Sequence, residues 1–114
     1  MSVLLKDFIT AVDAKVISTV EDYEDIEVSG AYVSDLLSDV MGNARDNQIW
    51  ITIMRHLNVV AVASLAGMPA ICFACNVVPD EQVIKKANDE DICLITTSKT
   101  TFETAGILYT LFRK

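Results

Sequence analysis

Glycine, basic side chains and histidine are scarce in this chain, and each scarcity removes a class of function. The four glycines, at positions 30, 42, 67 and 106, never cluster. Phosphate-cradling loops of the G-x-x-x-x-G-K-[ST] or G-x-G-x-x-G type need several glycines close together. A P-loop kinase and a dinucleotide dehydrogenase of the usual kind are therefore excluded. Nine Lys and Arg stand against sixteen Asp and Glu, for a net charge of −7. A nucleic-acid binder needs a basic footprint, and none is present. No apolar run approaches the ~20 residues that span a bilayer, so no membrane partner is expected. The opening MSVLLKDFITAVDAK carries Lys6 and Asp7 inside its apolar pattern. It reads as an amphipathic helix rather than a signal peptide, which places the protein in the cytoplasm.

Cysteine is also rare: Cys72, Cys75 and Cys93 make an odd number, which argues for reduced thiols. Cys72 and Cys75 form a C-x-x-C. A redox pair of that kind opens a helix, whose dipole lowers a thiol pKa. Here it closes an apolar strand, where odd spacing sends the two side chains to opposite faces. Zinc would need further ligands, and His56 alone is on offer. Buried thiols are the expectation, with no metal and no cofactor.

What is present is a core. Half of the 114 residues are apolar (52%), enough for one domain over 1–114 and too few residues for two ordinary ones. The acidic excess lies in residues 1–50, with ten Asp and Glu against three Lys and Arg. Most of it sits in Glu21-Asp22-Tyr23-Glu24-Asp25-Ile26-Glu27, a solvated loop.

Leu4, Leu5, Phe8, Ile9 and Val12 recur at helical spacing and predict a helix over 3–13. Strands are expected at 15–19 and 27–33. Ser34 should cap a helix with Leu36, Leu37, Val40 and Met41 on its apolar face, stopped by Gly42. From residue 49 the pattern is regular. Strands at 49–53, 70–74 and 92–96 alternate with helices at 58–66, about 80–90, and from Thr100 to the C-terminus. Gly67 closes the first of these helices. Thr100 and Glu103 form a capping box for the last, whose face carries Phe102, Ala105, Leu108 and Phe112. Continuous apolar strands joined by short strand–helix units predict an α/β domain. Its sheet should be mainly parallel, built from consecutive strand–helix units, with helices on both faces.

Ligands of such sheets bind beyond the carboxyl ends of the strands. That edge offers Thr52, Arg55, His56 and Asn58 from one loop. A second loop offers Asn76, and a third offers Thr96, Thr97, Ser98, Thr100 and Thr101. Helix N-termini add free N–H groups suited to phosphate or carboxylate. An anion site there would bring Arg55, His56, Asn76 and Thr97 together. Each residue also has a structural reading. Asn58 can simply cap its helix, the Thr96–Thr101 run can be an ordinary strand–helix loop, and His56 can be a satisfied partial-core residue. Asp35, Ser38 and Asp39 share a predicted helix face, as a solvated surface or, alternatively, a divalent-ion pair. A general base is conceivable only in His56, and no nucleophile accompanies it. No catalytic residue is nominated. Tyr32, Trp50 and Met54 are a candidate apolar patch for a homodimer.

The stretch VSDLLSDVMGNARDNQIWIT, followed by HLNVVAVASL, PDEQVIKKA and FETAG, resembles the small stand-alone proteins of the DRTGG-domain family over about 26–108. Related domains lie beside CBS domains in some inorganic pyrophosphatases, in some phosphate acetyltransferases, and near the N-terminal domain of HPr kinase/phosphorylase. The catalytic P-loop of that kinase is absent here. The family's Asp-Arg and Thr-Gly-Gly elements are replaced by Met54-Arg55-His56 and Ala74-Cys75-Asn76. The resemblance implies a non-catalytic regulatory or ligand-binding domain, dimeric, that senses an adenine nucleotide or phosphorylated metabolite. A protein-interaction or dimerisation subunit without a small-molecule ligand is the alternative. A small enzyme using His56 ranks last.

Overall fold

The computed structural model describes residues 2–18 and 20–114. Its centre is a five-stranded sheet in the order β2-β7-β6-β5-β4. Strands β4 (Gly30–Val33), β5 (Gln48–Thr52), β6 (Ala70–Phe73) and β7 (Cys93–Thr96) are parallel neighbours. β2 (Lys15–Val16) closes the far edge antiparallel to β7. The predicted parallel trio thus forms as expected, with β4 added as a fourth member.

Side-chain alternation along these strands divides the interior into two cores. Ile49, Ile51, Cys72 and Ile95 point to one side, where they meet Leu5 and Phe8 of α1 (Leu5–Ala11) and Leu108 of α5 (Thr101–Phe112). Trp50, Ile71, Phe73 and Leu94 point to the other side. There they pack against α2 (Leu37–Asn43), α3 (Asn58–Ala66) and α4 (Glu81–Asp89). The strands are buried from both sides, which is why they read as continuous apolar runs. Helices α2, α3 and α4 share a face because each strand is laid down beside the last in one direction, and crossovers of one hand then return to one side. α5 follows the last parallel strand and covers the opposite side with α1.

Several expectations are corrected. Residues 3–4 do not begin a helix. They form β1 (Val3–Leu4), antiparallel to β3 (Glu27–Val28), in a two-stranded ribbon beside the main sheet. The predicted strand 27–33 is therefore two strands serving two sheets. The strand expected at 15–19 covers only Lys15–Val16, and its last residue, Thr19, lies outside the described residues. α2 starts at Leu37, not after Ser34, and Gly42 lies within it. Leu36 and Met41 are exposed; Val40 is the residue α2 buries. Phe102, expected on the inner face of α5, is 87% exposed. Trp50 belongs to no surface patch: it is buried, and its Nε1–H donates to the Ser34 carbonyl at 2.9 Å. Tyr32 donates its phenol to Asp39 at 2.8 Å. The capping box at Thr100 and Glu103 is present as predicted, and the Thr100 N–H and hydroxyl hold the Glu103 carboxyl below its ordinary range.

Candidate functional site

The loop from β5 to α3 carries Arg55, His56 and Leu57. A cleft of about 550 Å³ opens against it, closed on its other side by Asp80 and Gln82 at the start of α4. Local bonds explain how the loop holds its shape. The Thr52 hydroxyl, fully buried, donates to Asp35 Oδ1 at 2.7 Å and accepts the Met54 N–H at 3.0 Å. Asp35 Oδ1 also accepts the Ile53 N–H at 3.0 Å. One carboxylate from the β4–α2 connection thus ties down the end of β5 and the first loop residue directly, and Met54 through the Thr52 hydroxyl. Asp35 and Asp39 therefore do not form an i, i+4 pair on one helix. Asp39 instead serves Tyr32 and Asn43, and the hydroxyls of Ser34 and Tyr32 hold its carboxyl below the usual value.

His56 initiates α3, a role the sequence assigned to Asn58. Its carbonyl accepts the Val59 N–H at 3.0 Å, and its ring Nδ1 accepts the Asn58 N–H at 3.1 Å. Asn58 is the first helical residue; the cap position falls on Leu57, whose side chain makes no cap bond. The imidazole does what an N-cap oxygen usually does: it satisfies an orphan amide of the first turn. An accepting Nδ1 leaves the ring proton on Nε2, so His56 retains one donor for another molecule. The Arg55 side chain has no hydrogen bond or ion pair among the described residues. Across the cleft Asp80 precedes α4, and its carboxylate makes no cap bond. The two walls therefore carry a permanent cation with a ring N–H on one side, and a carboxylate with an amide on the other.

The remaining predicted residues lie elsewhere. Thr96 donates its hydroxyl to the Val77 carbonyl at 2.7 Å. Thr97 is buried and donates to the Val12 carbonyl at 2.6 Å. Ser98 and Asn76 are exposed, and neither lines the cleft. The cause is a backbone seam. Cys75 N–H donates to the Lys99 carbonyl and Asn76 N–H to the Thr97 carbonyl, both at 2.8 Å, and Thr97 N–H donates to Phe73 at 2.9 Å. α4 and α5 leave the sheet toward opposite faces, the arrangement that opens a crevice in many parallel sheets. Here these bonds stitch it shut. Arg55 and His56 both line the cleft; Asn76 and Thr97 are sealed into the neighbouring seam.

Cys75 and Asn76 take φ of 59° and 61°, and Val77 N–H donates to the Ala74 carbonyl at 3.1 Å. Two consecutive left-handed residues with that closing bond make a type I′ turn, a geometry suited to glycine. This is where the resemblance sets a Gly-Gly pair. The backbone form is kept while side chains are added. Asn tolerates the conformation and Cys does so at a cost. Cys75 is exposed, whereas burial pushes the Cys72 thiol up to about 12 and the Cys93 thiol up to about 11. The C-x-x-C therefore joins one inaccessible thiol to one accessible thiol, and among the described residues no His/Cys/Asp/Glu group could hold a metal ion.

Two cleft residues, Asp80 and Gln82, are not among the residues the sequence nominates. PDEQ carries acidic and amide side chains at the head of a helix, but nothing local to it sets that helix beside the Arg55 loop.

No family model matches the sequence, and no curated protein matches it. Among solved structures the chain is similar to the CBS and DRTGG domains of the regulatory region of Clostridium perfringens pyrophosphatase, a crystal structure complexed with the activator diadenosine tetraphosphate. The TM-score is 0.78 at 14% sequence identity, over 95% of this chain and 46% of that one. The chain thus spans about half the length of that regulatory region. No described helix is long and apolar enough to cross a membrane. The likeness is one of fold, and the fold is that of a DRTGG-like domain.

Proposed function

We propose that this chain is a non-catalytic regulatory domain whose cleft between the Arg55 loop and the start of α4 binds a nucleotide or phosphorylated metabolite. The observation that carries the reading is the Arg55 guanidinium, unpaired among the described residues, lining a cleft with His56 beside it and Asp80 and Gln82 opposite. A guanidinium with a ring N–H suits a phosphate. A carboxylate and an amide suit hydroxyl or amino groups. A ligand with one anionic end and one hydroxyl-rich or base end matches both walls. The fold likeness adds support, since the similar structure is a regulatory region holding a nucleotide activator.

The test is calorimetric titration with ATP, AMP, diadenosine tetraphosphate and a sugar phosphate, with thermal melts alongside. One of them is expected to bind. Arg55→Ala should weaken that binding by ~1.5–3 kcal/mol, the range for a charge-assisted hydrogen bond, without lowering the melting temperature. Absence of binding by all four at millimolar concentration, or equal affinity in the Arg55 variant, would sink the reading. A second reading, an interaction subunit, is favoured by a separate observation: two aromatic side chains of α5, Phe102 and Tyr109, are exposed on its outer face.

A further inference from the structure

We infer that the open edge of β4 is a docking site for a basic, extended segment of a partner protein, which joins the sheet as a further strand. β4 ends the five-stranded sheet, with β5 on one side and no strand on the other. One bond sets the phase of its backbone: Ser34 N–H donates to the Ile51 carbonyl at 3.4 Å. Main-chain groups of alternate strand residues share a side. Those of Tyr32 therefore turn to β5 with those of Ser34, and those of Ala31 and Val33 turn outward. Among the described residues, no main-chain bond outside the β4–β5 ladder reaches Ala31 or Val33.

Natural sheet edges are blunted by brevity, charge or proline. β2, at the opposite edge, has two residues and carries Lys15. β4 has none of these devices. It is Gly30-Ala31-Tyr32-Val33, four residues without charge or proline, and Val33 is 47% exposed.

Shape and charge identify the occupant. Residues level with one another on neighbouring strands point to the same face. Between β4 and α5 lies a groove of about 370 Å³, lined by Ala31, Val33, Leu108, Tyr109 and Phe112 among others, none of them charged. Side chains of an added strand level with Ala31 and Val33 enter that groove, and apolar ones suit it. The residue between them emerges on the other face beside Tyr32, whose hydroxyl donates to Asp39 at 2.8 Å. Asp39 is bonded to Tyr32 and Asn43 and has no cationic partner among the described residues. From residue 16 to residue 44 the chain holds seven Asp and Glu and not one Lys or Arg. A lysine or arginine therefore suits the intervening position, and the occupant alternates apolar and basic residues. A second copy of β4 would bring the same acidic surroundings, and like charge opposes that pairing. In strand addition, main-chain bonds supply affinity and side-chain pockets supply selectivity. The Arg55 cleft shares no lining residue with this groove, so the inference stands or falls independently of the ligand reading.

The test is fluorescence anisotropy on the full chain with a labelled, end-capped peptide of about seven residues that alternates lysine and valine. It should bind with a Kd below millimolar. Amide exchange read by NMR should slow at Ala31 and Val33 on binding and hold steady at Tyr32, whose N–H already serves β5. A peptide alternating glutamate and valine should bind about tenfold more weakly or worse. Val33→Lys, which sets a cation on the open edge, should weaken the lysine–valine peptide by about tenfold with an unchanged circular-dichroism spectrum. Asp39→Asn keeps an acceptor for Tyr32 and removes the charge. It should weaken the lysine–valine peptide and leave a serine–valine peptide unmoved, a split that a merely structural role would not produce. No binding of the lysine–valine peptide at millimolar concentration would overturn the inference. So would binding that leaves exchange at Ala31 and Val33 unchanged, or equal affinity for the glutamate–valine peptide. Slow exchange of those two amides in the protein alone, lost on dilution, would give the edge to a second copy and overturn it as well.

Discussion

Replacing Thr52 with valine tests how the Arg55 loop is held. The side chain is fully buried, and valine keeps its shape while deleting the hydroxyl. Two bonds go with it: the 2.7 Å donation to Asp35 and the 3.0 Å acceptance from Met54 N–H. A hydrogen bond to a charged group is worth ~1.5–3 kcal/mol. Asp35 is exposed and keeps the Ile53 N–H, so water can replace the lost donor, and the low end applies. The half-buried Met54 amide adds a fraction of a kcal/mol, while the new methyl recovers a similar amount. The net loss should be ~1–2 kcal/mol. An unfolding entropy of ~2.1 cal/mol/K per residue amounts to roughly 0.24 kcal/mol/K for 114 residues. The melting temperature should therefore fall by ~4–8 °C. Asp35→Asn retains an acceptor oxygen and should cost less than Thr52→Val. Asp35→Ala in the Thr52→Val background should cost less than it does alone, because the two groups share one bond. Amide exchange at Ile53 and Met54 should accelerate in Thr52→Val. A variant that melts within a degree of wild type, with additive double-mutant energies, would refute the reasoning.

Two further outcomes are expected. Gly67→Ala should destabilise the domain by ~2–4 kcal/mol, combining a left-handed φ with overpacking. Its φ is 72°, and a Cβ would lie 2.7 Å from the Asp46 Cβ and 3.2 Å from the Asp46 Cα; denaturant melts check this, and a loss below half the lower figure would contradict it. A chromogenic thiol reagent at mildly alkaline pH should label one cysteine rapidly in the native protein, Cys75, and all three after unfolding. Burial raises the thiols of Cys72 and Cys93 and shields them from the reagent. Rapid labelling of two or three thiols in the folded chain would show that the sheet opens more readily than its packing implies.

Residues 49 to 112 determined their own organisation because their information is local. Each strand is a short apolar run, each helix has its own periodicity, and Gly67, Thr100 and Glu103 mark helix ends by chemistry visible within four residues. Strands buried on both sides leave no polar alternation to confuse them with surface hairpins, so the parallel order followed. The first third was less legible. Residues 3–4 carry a helix-like pattern, yet they pair with residues 27–28 because a partner strand outweighs the preference of two residues at a chain end. Ser34 and Asp35 mimic a helix start, but tertiary structure gives the Asp35 carboxylate to Thr52 and Ile53. Asn58 has the right chemistry to cap α3, and the His56 ring reaches the orphan amide instead.

The candidate site divides in the same way. Arg55 and His56 stand two elements from any uncertainty, on one loop after one plain strand, and sequence alone put them together. Which residues face them was decided by how successive strand–helix units settle side by side. α4 brought Asp80 and Gln82 to the cleft. The backbone seam between the Cys75–Asn76 turn and the Thr97–Lys99 loop took Asn76 and Thr97 away from it. A side chain's position at the carboxyl edge of a strand follows from its place in the chain. Whether it opens onto a cleft or is locked into a seam depends on which helices diverge above it, and that is set only when the sheet has assembled.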